Sequence, residues 1–366
     1  NQGIMGHIAN VSKLTNIPHQ PALVHSEYAF LGLIGGVFGL NSVLTYHLSR
    51  LFLGFIFLLT SFYFFYQVFK SANRQSPIAY SILAFFLSFF VAGFPKILTL
   101  NPLSFEPYLS WLVELDVTRR STILPHYLMG NILFLVILIC VIKIINNNPI
   151  NNHQYFSAKF LILNSKFLIL LVFSSLLLSL VHPIDYLVLL STLGLFFLFQ
   201  IAINIYIYAS SNSKHFNIKT LFFFLILNSK FLILLIFTTL LSGLPPILYY
   251  KYTFTLPFWR FIGAHGASTP YSIPLFDFVL SQGPVFLLSV FGIILFLGGW
   301  RTVGFPIERP QSHRDEDVGW GNRTTGPTLL LAWLIAQSLF FLKLYELFNF
   351  DRLRTLHPPY YLALAF

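Results

Sequence analysis

Residues 126–145 read HYLMGNILFLVILICVIKII, and this stretch decides the fold. Its one lysine, Lys143, stands near the end, and its other residues are mostly apolar. An α-helix needs about 20 predominantly apolar residues to cross the ~30 Å hydrocarbon core of a bilayer. We therefore predict that residues 126–145 form a membrane-spanning helix.

Similar apolar blocks fill most of the chain and alternate with polar connections. None shows the period of two residues that membrane barrel strands require. A glycine-rich piece, residues 28–40, is too short to span and predicts an interfacial or re-entrant helix. The other predicted spans are residues 42–68, 77–92, 160–181, 186–208, 221–249, 284–299 and 327–344. The sequence thus predicts an all-α fold: a polytopic transmembrane helical bundle of about eight spans, in a single transmembrane domain over residues 1–366.

Charge is scarce and lies mostly between the apolar blocks. Of 366 residues, 56% are hydrophobic and 9% are charged, with a formal net charge of +10. Soluble proteins average roughly 25% charged residues, so this chain has too few charges for a water-facing surface. The lysines and arginines form no clustered basic face with interleaved aromatic residues, which argues against a nucleic-acid partner. The predicted partner of this surface is the lipid bilayer.

Basic residues in the short loops predict the orientation, because cytoplasmic loops of membrane proteins carry an excess of Lys and Arg. Alternating the spans assigns each loop to one side. The predicted cytoplasmic loops are 69–76, 146–158, 209–220 and 300–326. The predicted outer loops are 1–41, 93–121 and 250–282, together with the tight turn at 182–185. The long loops that carry acids and histidines therefore face outside.

One internal repeat crosses two of the predicted spans. Residues 160–171 read FLILNSKFLILL, and residues 224–235 repeat them letter for letter. The repeat places Lys166 and Lys230 near the cytoplasmic end, where a long side chain can reach the lipid head groups. An intramembrane ion site is the functional alternative. Both duplication and convergence in a sequence rich in Phe, Leu and Ile account for the repeat.

Acids in the outer segments are the candidate catalytic groups. Glu27 precedes the glycine-rich piece, and the 93–121 loop offers Glu114 and Asp116, followed by an arginine pair. A carboxylate near arginines suits a general base beside a phosphate clamp. The same spacing also fits a solvated ion pair, so both interpretations stay open. The chain contains no P-loop, GxSxG, CxxC or HExxH motif.

Three further outer groups are candidates for substrate binding. His126 opens the third span, and a four-residue turn between two spans holds His182 and Asp185. A charge at that depth is costly unless it lines a polar cavity, although Asp185 also suits a plain helix cap. Arg352 and Arg354 follow the last span, where they suit either a lipid-linked phosphate or ordinary head groups.

The order of these pieces resembles the GT-C glycosyltransferase superfamily, in the branch of bacterial membrane proteins with mannosyl- and arabinosyltransferase-like topology. The resembling stretches are residues 14–21 (LTNIPHQP), 46–50 (YHLSR), 125–127 (PHY), 182–185 (HPID) and 350–358. The resemblance covers most of the chain in pattern, through short motifs. It implies a bundle of roughly ten or more helices and transfer of a sugar from a polyprenyl-phosphate donor at the outer membrane face.

The resemblance also implies the roles of particular residues. Family members use an Asp or Glu on the first outer loop, soon after the first helix, and this chain lacks that helix and the start of its loop. We therefore expect a fragment that has lost a helix before Asn1 and more helices after Phe366, and with them the usual catalytic acid. Glu27 is the acid that remains there. Arg352 and Arg354 would contact the donor phosphate.

The predicted function is therefore transfer of a sugar from a polyprenyl-phosphate donor to an acceptor by a multi-pass protein of a bacterial plasma membrane. A transporter, or a non-catalytic subunit of a membrane complex, is the alternative that the repeat favours. No cofactor is predicted, and the sequence leaves a divalent metal open. If the outer groups form one site, we expect them to converge on one outward-opening cavity, with Lys166 and Lys230 at the opposite face.

Overall fold

A computed structural model of the chain describes residues 22–24, 26–72, 76–91, 93–100, 102–107, 123–147, 158–211, 218–261, 275–292 and 325–341. Its helices are α1 (Ser26–Val37), α2 (Ser42–Ser71), α3 (Pro77–Phe90), α4 (Pro125–Asn146), α5 (Ala158–Val181), α6 (Pro183–Ser211), α7 (Ile218–Thr253), α8 (Leu275–Ser281) and α9 (Thr325–Leu339). Residues 257–261 and 284–292 are also helical. The predicted all-α fold is confirmed.

Local sequence explains where several helices begin. The Asn41 side chain accepts a hydrogen bond of 2.8 Å from the Leu44 backbone N–H and so caps α2. Pro125 and Pro183 occupy the first positions of α4 and α6. Proline suits that position, because its missing N–H would have had no partner inside the helix. The two prolines therefore fix where α4 begins, next to His126, and where α6 begins, next to His182.

Five helices are long and apolar enough to cross a membrane. They cover Ser42–Ser71, Pro125–Asn146, Asn164–Val181, Pro183–Tyr206 and Leu232–Thr253. Large apolar side chains point outward along them, for example Phe52 and Phe55 on α2, which are more than half exposed. Water would make so much exposed apolar surface unfavourable, whereas lipid tails accept it. The chain is a membrane protein.

The helix α4 occupies the centre of the bundle, where it packs against α2, α5, α6 and α9. Trp333 of α9 is fully buried, and its ring centroid lies 4.9 Å from that of Phe134 on α4 and 6.0 Å from that of Phe64 on α2. The Trp333 indole N–H donates a hydrogen bond of 2.9 Å to the Gln337 side chain. The Trp333 ring, whose indole N–H is hydrogen-bonded, thus joins three helices in the core through aromatic packing.

Helices α4, α5, α6 and α7 alternate in direction between two ends of the bundle. We call the end where α4 and α6 begin, with His126 and His182, the histidine end. The opposite end, where α2 and α4 finish with Lys70 and Lys143, is the lysine end. Asn147 beyond α4 donates a hydrogen bond of 3.2 Å to Asn164 near the start of α5, so α5 returns toward the histidine end. Lys166, one of the two repeat lysines, is exposed near the lysine end, as predicted.

A β-hairpin occupies part of the predicted outer loop 93–121. Strands β1 (Pro95–Leu100) and β2 (Leu103–Pro107) pair antiparallel, with an irregularity between Ile97 and Thr99. The Phe94 N–H donates a hydrogen bond of 3.0 Å to the Leu280 carbonyl, which attaches the hairpin to the end of α8. The sequence analysis predicted no strand here. Pairing of β1 with β2, rather than a long alternating pattern, supplies the backbone hydrogen bonds of this segment.

The remaining predicted helices are shorter than a typical span. The glycine-rich piece forms α1, which ends near Gly39 at a positive φ of 67°. The predicted spans 77–92 and 327–344 correspond to α3, with 14 residues, and α9, with 15. Of the predicted span 284–299, residues 284–292 are helical and the rest lie outside the described residues. The number of eight spans therefore stays a prediction.

Candidate functional site at the histidine end

Three separate chain segments meet at the histidine end. The Tyr28 hydroxyl at the start of α1 lies 2.7 Å from His126 Nδ1 at the start of α4, in a hydrogen bond. The His126 ring is stacked with the His182 ring at the α5–α6 junction, with centroids 6.1 Å apart and planes 21° apart. The contacts therefore run without a break from α1 through α4 to α6.

Asp185 lies at the inner side of this cluster, in the first turn of α6. Its side chain is completely buried, and its Oδ1 atom lies 2.9 Å from His182 Nδ1. The contact has the distance of an ion pair without the alignment of a hydrogen bond. A buried carboxylate needs a charged or hydrogen-bonding partner, and His182 supplies one of them.

A glycine on α4 allows the carboxylate to approach. A Cβ atom at Gly130 would lie 3.2 Å from Asp185 Oδ2 and 3.2 Å from His182 Cβ, which is tighter than ordinary van der Waals contact. Gly130 stands four residues after His126, so both residues lie on the same face of α4. That face therefore presents the His126 ring to His182 and lets the α4 backbone approach Asp185 closely.

The end of α7 closes the site beside Glu27. The Glu27 side chain is only 5% exposed and interacts electrostatically with the hydroxyl groups of Tyr28 and Tyr250. The Tyr250 hydroxyl donates a hydrogen bond to the Leu180 carbonyl, two residues before His182. The Tyr249 hydroxyl accepts a hydrogen bond of 2.9 Å from the Leu23 N–H. These contacts tie α7 to the segment before α1 and to the α5–α6 junction.

The environment keeps the Tyr28 phenol neutral. Burial raises the pKa of Tyr28 well above its ordinary value, and the neighbouring Tyr46 and Glu27 raise it further. A hydrogen bond from the backbone of His126 lowers the pKa of Tyr28 without cancelling this effect. Tyr28 therefore keeps its proton at neutral pH and remains available as a hydrogen-bond partner of His126.

An arginine on α2, Arg50, lies next to this cluster. The Tyr46 ring stacks on Tyr28 with centroids 6.5 Å apart, and the Arg50 guanidinium carbon lies 5.7 Å from the Tyr46 ring centroid. Arg50 is half-buried and belongs to one of the five apolar helices long enough to cross a membrane. An arginine at such a position marks a candidate functional group, because a charge inside a membrane is costly.

The structure brings four of the predicted site residues to one end of the bundle. Glu27, His126, His182 and Asp185 are all buried there. The expectation that the outer groups share one outward-opening cavity stays a prediction. The predicted residues Glu114, Asp116, Arg352 and Arg354 lie outside the described residues. The side chain of Lys230 also lies outside them. Their assignment to the site stays a prediction.

Several contributors to the site were missed. Tyr28 contacts His126, and Tyr250 interacts with Glu27, and in both pairs the partners are far apart in the sequence. Only the position of the two tyrosines beside apolar helix ends indicates an interfacial role. Gly130 carries a clearer signal, since it follows His126 by one helical turn. Within the described residues, no group of three or more His, Cys, Asp or Glu side chains is arranged to hold a metal ion. The described side chains of this site suit hydrogen bonding and proton transfer.

Comparison with known proteins adds no relative to this picture. No family model, curated protein sequence or solved structure matches the chain. The buried cluster and the apolar helices around it are therefore the features that bear on function.

Proposed function

We propose that the chain is a multi-pass membrane glycosyltransferase, which transfers a sugar from a polyprenyl-phosphate donor to an acceptor hydroxyl at the outer membrane face. The observation that carries the proposal is the convergence of Glu27, His126, His182 and Asp185, all buried, at one end of an apolar helical bundle. Burying acids and histidines costs free energy unless they are paired or hydrogen-bonded, and clusters of such groups are typical of functional sites.

The chemistry of such a transfer matches the groups at this end. An inverting transfer needs a carboxylate that accepts the proton of the acceptor hydroxyl, and a positive charge beside the departing lipid phosphate. Glu27 and Asp185 are the buried carboxylates among the described residues. Arg50 is a described cation connected to them through Tyr46 and Tyr28, and Arg352 and Arg354 are further cations that the GT-C resemblance assigns to the phosphate.

The proposed topology places the histidine end outside and the lysine end in the cytoplasm, with about eight spans. Lys70, Lys143 and Lys166 at the lysine end agree with an excess of positive charge on the cytoplasmic side. The histidine end then faces the side on which a polyprenyl-phosphate sugar is used by GT-C enzymes. A lipid-linked donor could reach the cluster from the bilayer beside α1 and α2.

Transfer in a defined membrane tests the proposal. The full chain, reconstituted in lipid nanodiscs, is incubated with a panel of polyprenyl-phosphate sugars that includes mannose and arabinose donors. We expect release of the lipid phosphate and a new glycoside with at least one donor. The proposal fails if the panel gives neither turnover nor donor binding.

One observation favours a transporter as the second candidate function. The two copies of the FLILNSK repeat lie in α5 and α7, which pack against each other and both run toward the histidine end. Parallel repeats of this kind occur in transporters. Accumulation of a sugar or ion inside proteoliposomes, without any transfer product, would favour transport over the transferase.

A further inference from the structure

The Asp185 carboxylate has a capacity to accept hydrogen bonds that its described surroundings do not use. Among the described residues, no hydrogen-bond donor reaches Asp185 Oδ2, although the side chain is completely buried. An ionised carboxylate accepts about four hydrogen bonds, and leaving a buried oxygen without one costs on the order of 1–3 kcal/mol or more. A group that stays in this condition is commonly part of a functional site.

The two oxygens of this carboxylate have different surroundings. Oδ1 faces His182 Nδ1 at 2.9 Å, which fixes the orientation of the carboxylate. Oδ2 faces α4 at Gly130, where a Cβ atom would lie only 3.2 Å away. The absence of a side chain at Gly130 thus lets the α4 backbone pack against Oδ2, which has no hydrogen-bond donor among the described residues.

An aromatic ring lies over the dyad. The Tyr127 ring meets the His182 ring edge-on, with centroids 5.3 Å apart. Tyr127 is only half-buried, whereas His182 and Asp185 are buried. Among these three residues, Tyr127 is the one whose side chain reaches the surface. Rotations of partly exposed side chains are fast compared with enzymatic turnover.

We propose that Asp185 is the general base of the transferase, that its Oδ2 atom binds a hydroxyl group of the acceptor, and that His182 is the residue that positions it. The inference rests on the proposed function and deepens it, since the GT-C resemblance places the base on a first outer loop instead. Glu27, the other buried acid among the described residues, interacts electrostatically with the Tyr28 and Tyr250 hydroxyls.

The proposed step conserves atoms and charge. The acceptor O–H bond breaks, and its proton moves to Asp185 Oδ2. The acceptor oxygen forms a bond to C1 of the donor sugar as the bond from C1 to the phosphate oxygen breaks, and the electron pair of that bond stays on the lipid phosphate. General-base catalysis of this kind contributes about 10²- to 10⁴-fold to the rate.

The test compares D185N with a matched control in the full chain in nanodiscs. Asp277→Asn is the control, because Asp277 also lies in the first turn of a helix, α8. We expect D185N to lower kcat about 100-fold or more, to change the KM for the donor little, and to leave the melting temperature equal or higher. D277N should keep wild-type kcat. A D185N variant that keeps a tenth of wild-type kcat, or that loses activity only in step with its melting temperature, overturns the inference and leaves the transferase intact.

A second measurement judges Asp185 if the wild type transfers no sugar and the proposed function fails. Methyl α-mannoside and methyl β-glucoside at millimolar concentration serve as hydroxyl-bearing probes, with the melting temperature as the readout. A shift in the wild type and in D277N that is absent in D185N supports the hydroxyl site at Asp185. No shift in the wild type, or an equal shift in D185N, overturns it.

Discussion

Tyr28 shows at the scale of one residue how the candidate site is held together. Its hydroxyl connects α1 to His126 on α4, and its ring stacks on Tyr46 of α2. The two hydrogen-bonded residues are 98 positions apart in the sequence, so neither periodicity nor local motif predicts the contact. The sequence did indicate His182 and Asp185, because their turn is local and its polar residues stand out between apolar helices.

Replacing Tyr28 with phenylalanine tests this connection. Y28F keeps the ring stacking and removes the hydrogen bond to His126 Nδ1, so we expect it to lower the free energy of unfolding by about 1 kcal/mol at neutral pH. Because the pKa of Tyr28 is raised in the folded protein, the unfolded chain loses this proton first as pH rises above about 10, and the stabilisation by Tyr28 declines from there upward. The difference in stability between wild type and Y28F, measured by denaturation from pH 7 to pH 11, should therefore shrink above pH 10.

The control for this measurement is Y80F, since Tyr80 on α3 is an exposed tyrosine stacked on Phe69. It should leave stability within about 0.5 kcal/mol of the wild type. An equal loss in Y28F and Y80F would mean that the Tyr28–His126 hydrogen bond does not stabilise the fold.

At the scale of an element, the junction of α6 and α7 depends on one glycine. The Tyr186 hydroxyl donates hydrogen bonds to the carbonyls of Thr239, at 2.8 Å, and Leu240, at 3.2 Å. A Cβ atom at Gly243 would overlap the Tyr186 ring. Tyr186 directly follows Asp185, so this contact also holds the start of α6 in place.

G243A should therefore destabilise the bundle, whereas G194A should not. Overpacking against the Tyr186 ring costs about 1–3 kcal/mol. Gly194 lies in α6, where an added methyl group would meet no atom within 4 Å, and alanine there gains roughly 0.5–1 kcal/mol from helix propensity. Thermal unfolding of both variants in nanodiscs checks this pair. Equal melting temperatures would show that α6 and α7 separate easily at Gly243.

The helices were the most predictable elements. Long apolar blocks gave α2, α4, α5, α6 and α7 within a few residues, since a bilayer demands both length and apolarity. The repeat in α5 and α7 was also readable. The hairpin formed by β1 and β2 was not, because its strands are short and are stabilised by each other rather than by a periodic pattern. The close approach at Gly130 was missed for a related reason, as it depends on which helix faces it.

At the scale of the whole molecule, the direction of the bundle in the membrane decides whether the site works outside the cell. Ser76, just before α3, is exposed at the lysine end, and Thr99 is exposed in strand β1 of the hairpin. In a C140A background, which removes the buried native cysteine, single cysteines at these positions report the orientation. We expect T99C to react with a membrane-impermeant maleimide in intact cells, and S76C to react only after permeabilisation.

The opposite labelling pattern would place the histidine end in the cytoplasm and would contradict a donor used at the outer face. Reaction of both cysteines in intact cells would indicate damaged membranes, which a cytoplasmic marker protein checks. The fold and the buried cluster are independent of this result, because they do not depend on which side of the membrane they face.

The short helix α3 has a consequence for the lipids around the protein. Its 14 residues extend only about 21 Å, well below the ~30 Å hydrocarbon thickness of a bilayer. Its outward side chains, among them Ile82, Leu83 and Phe86, are apolar and demand acyl chains as neighbours. A membrane meets such a mismatch by becoming thinner. Lipids with short or disordered acyl chains should therefore collect along α3, and the bilayer there should form a depression beside α2, the helix that carries Arg50.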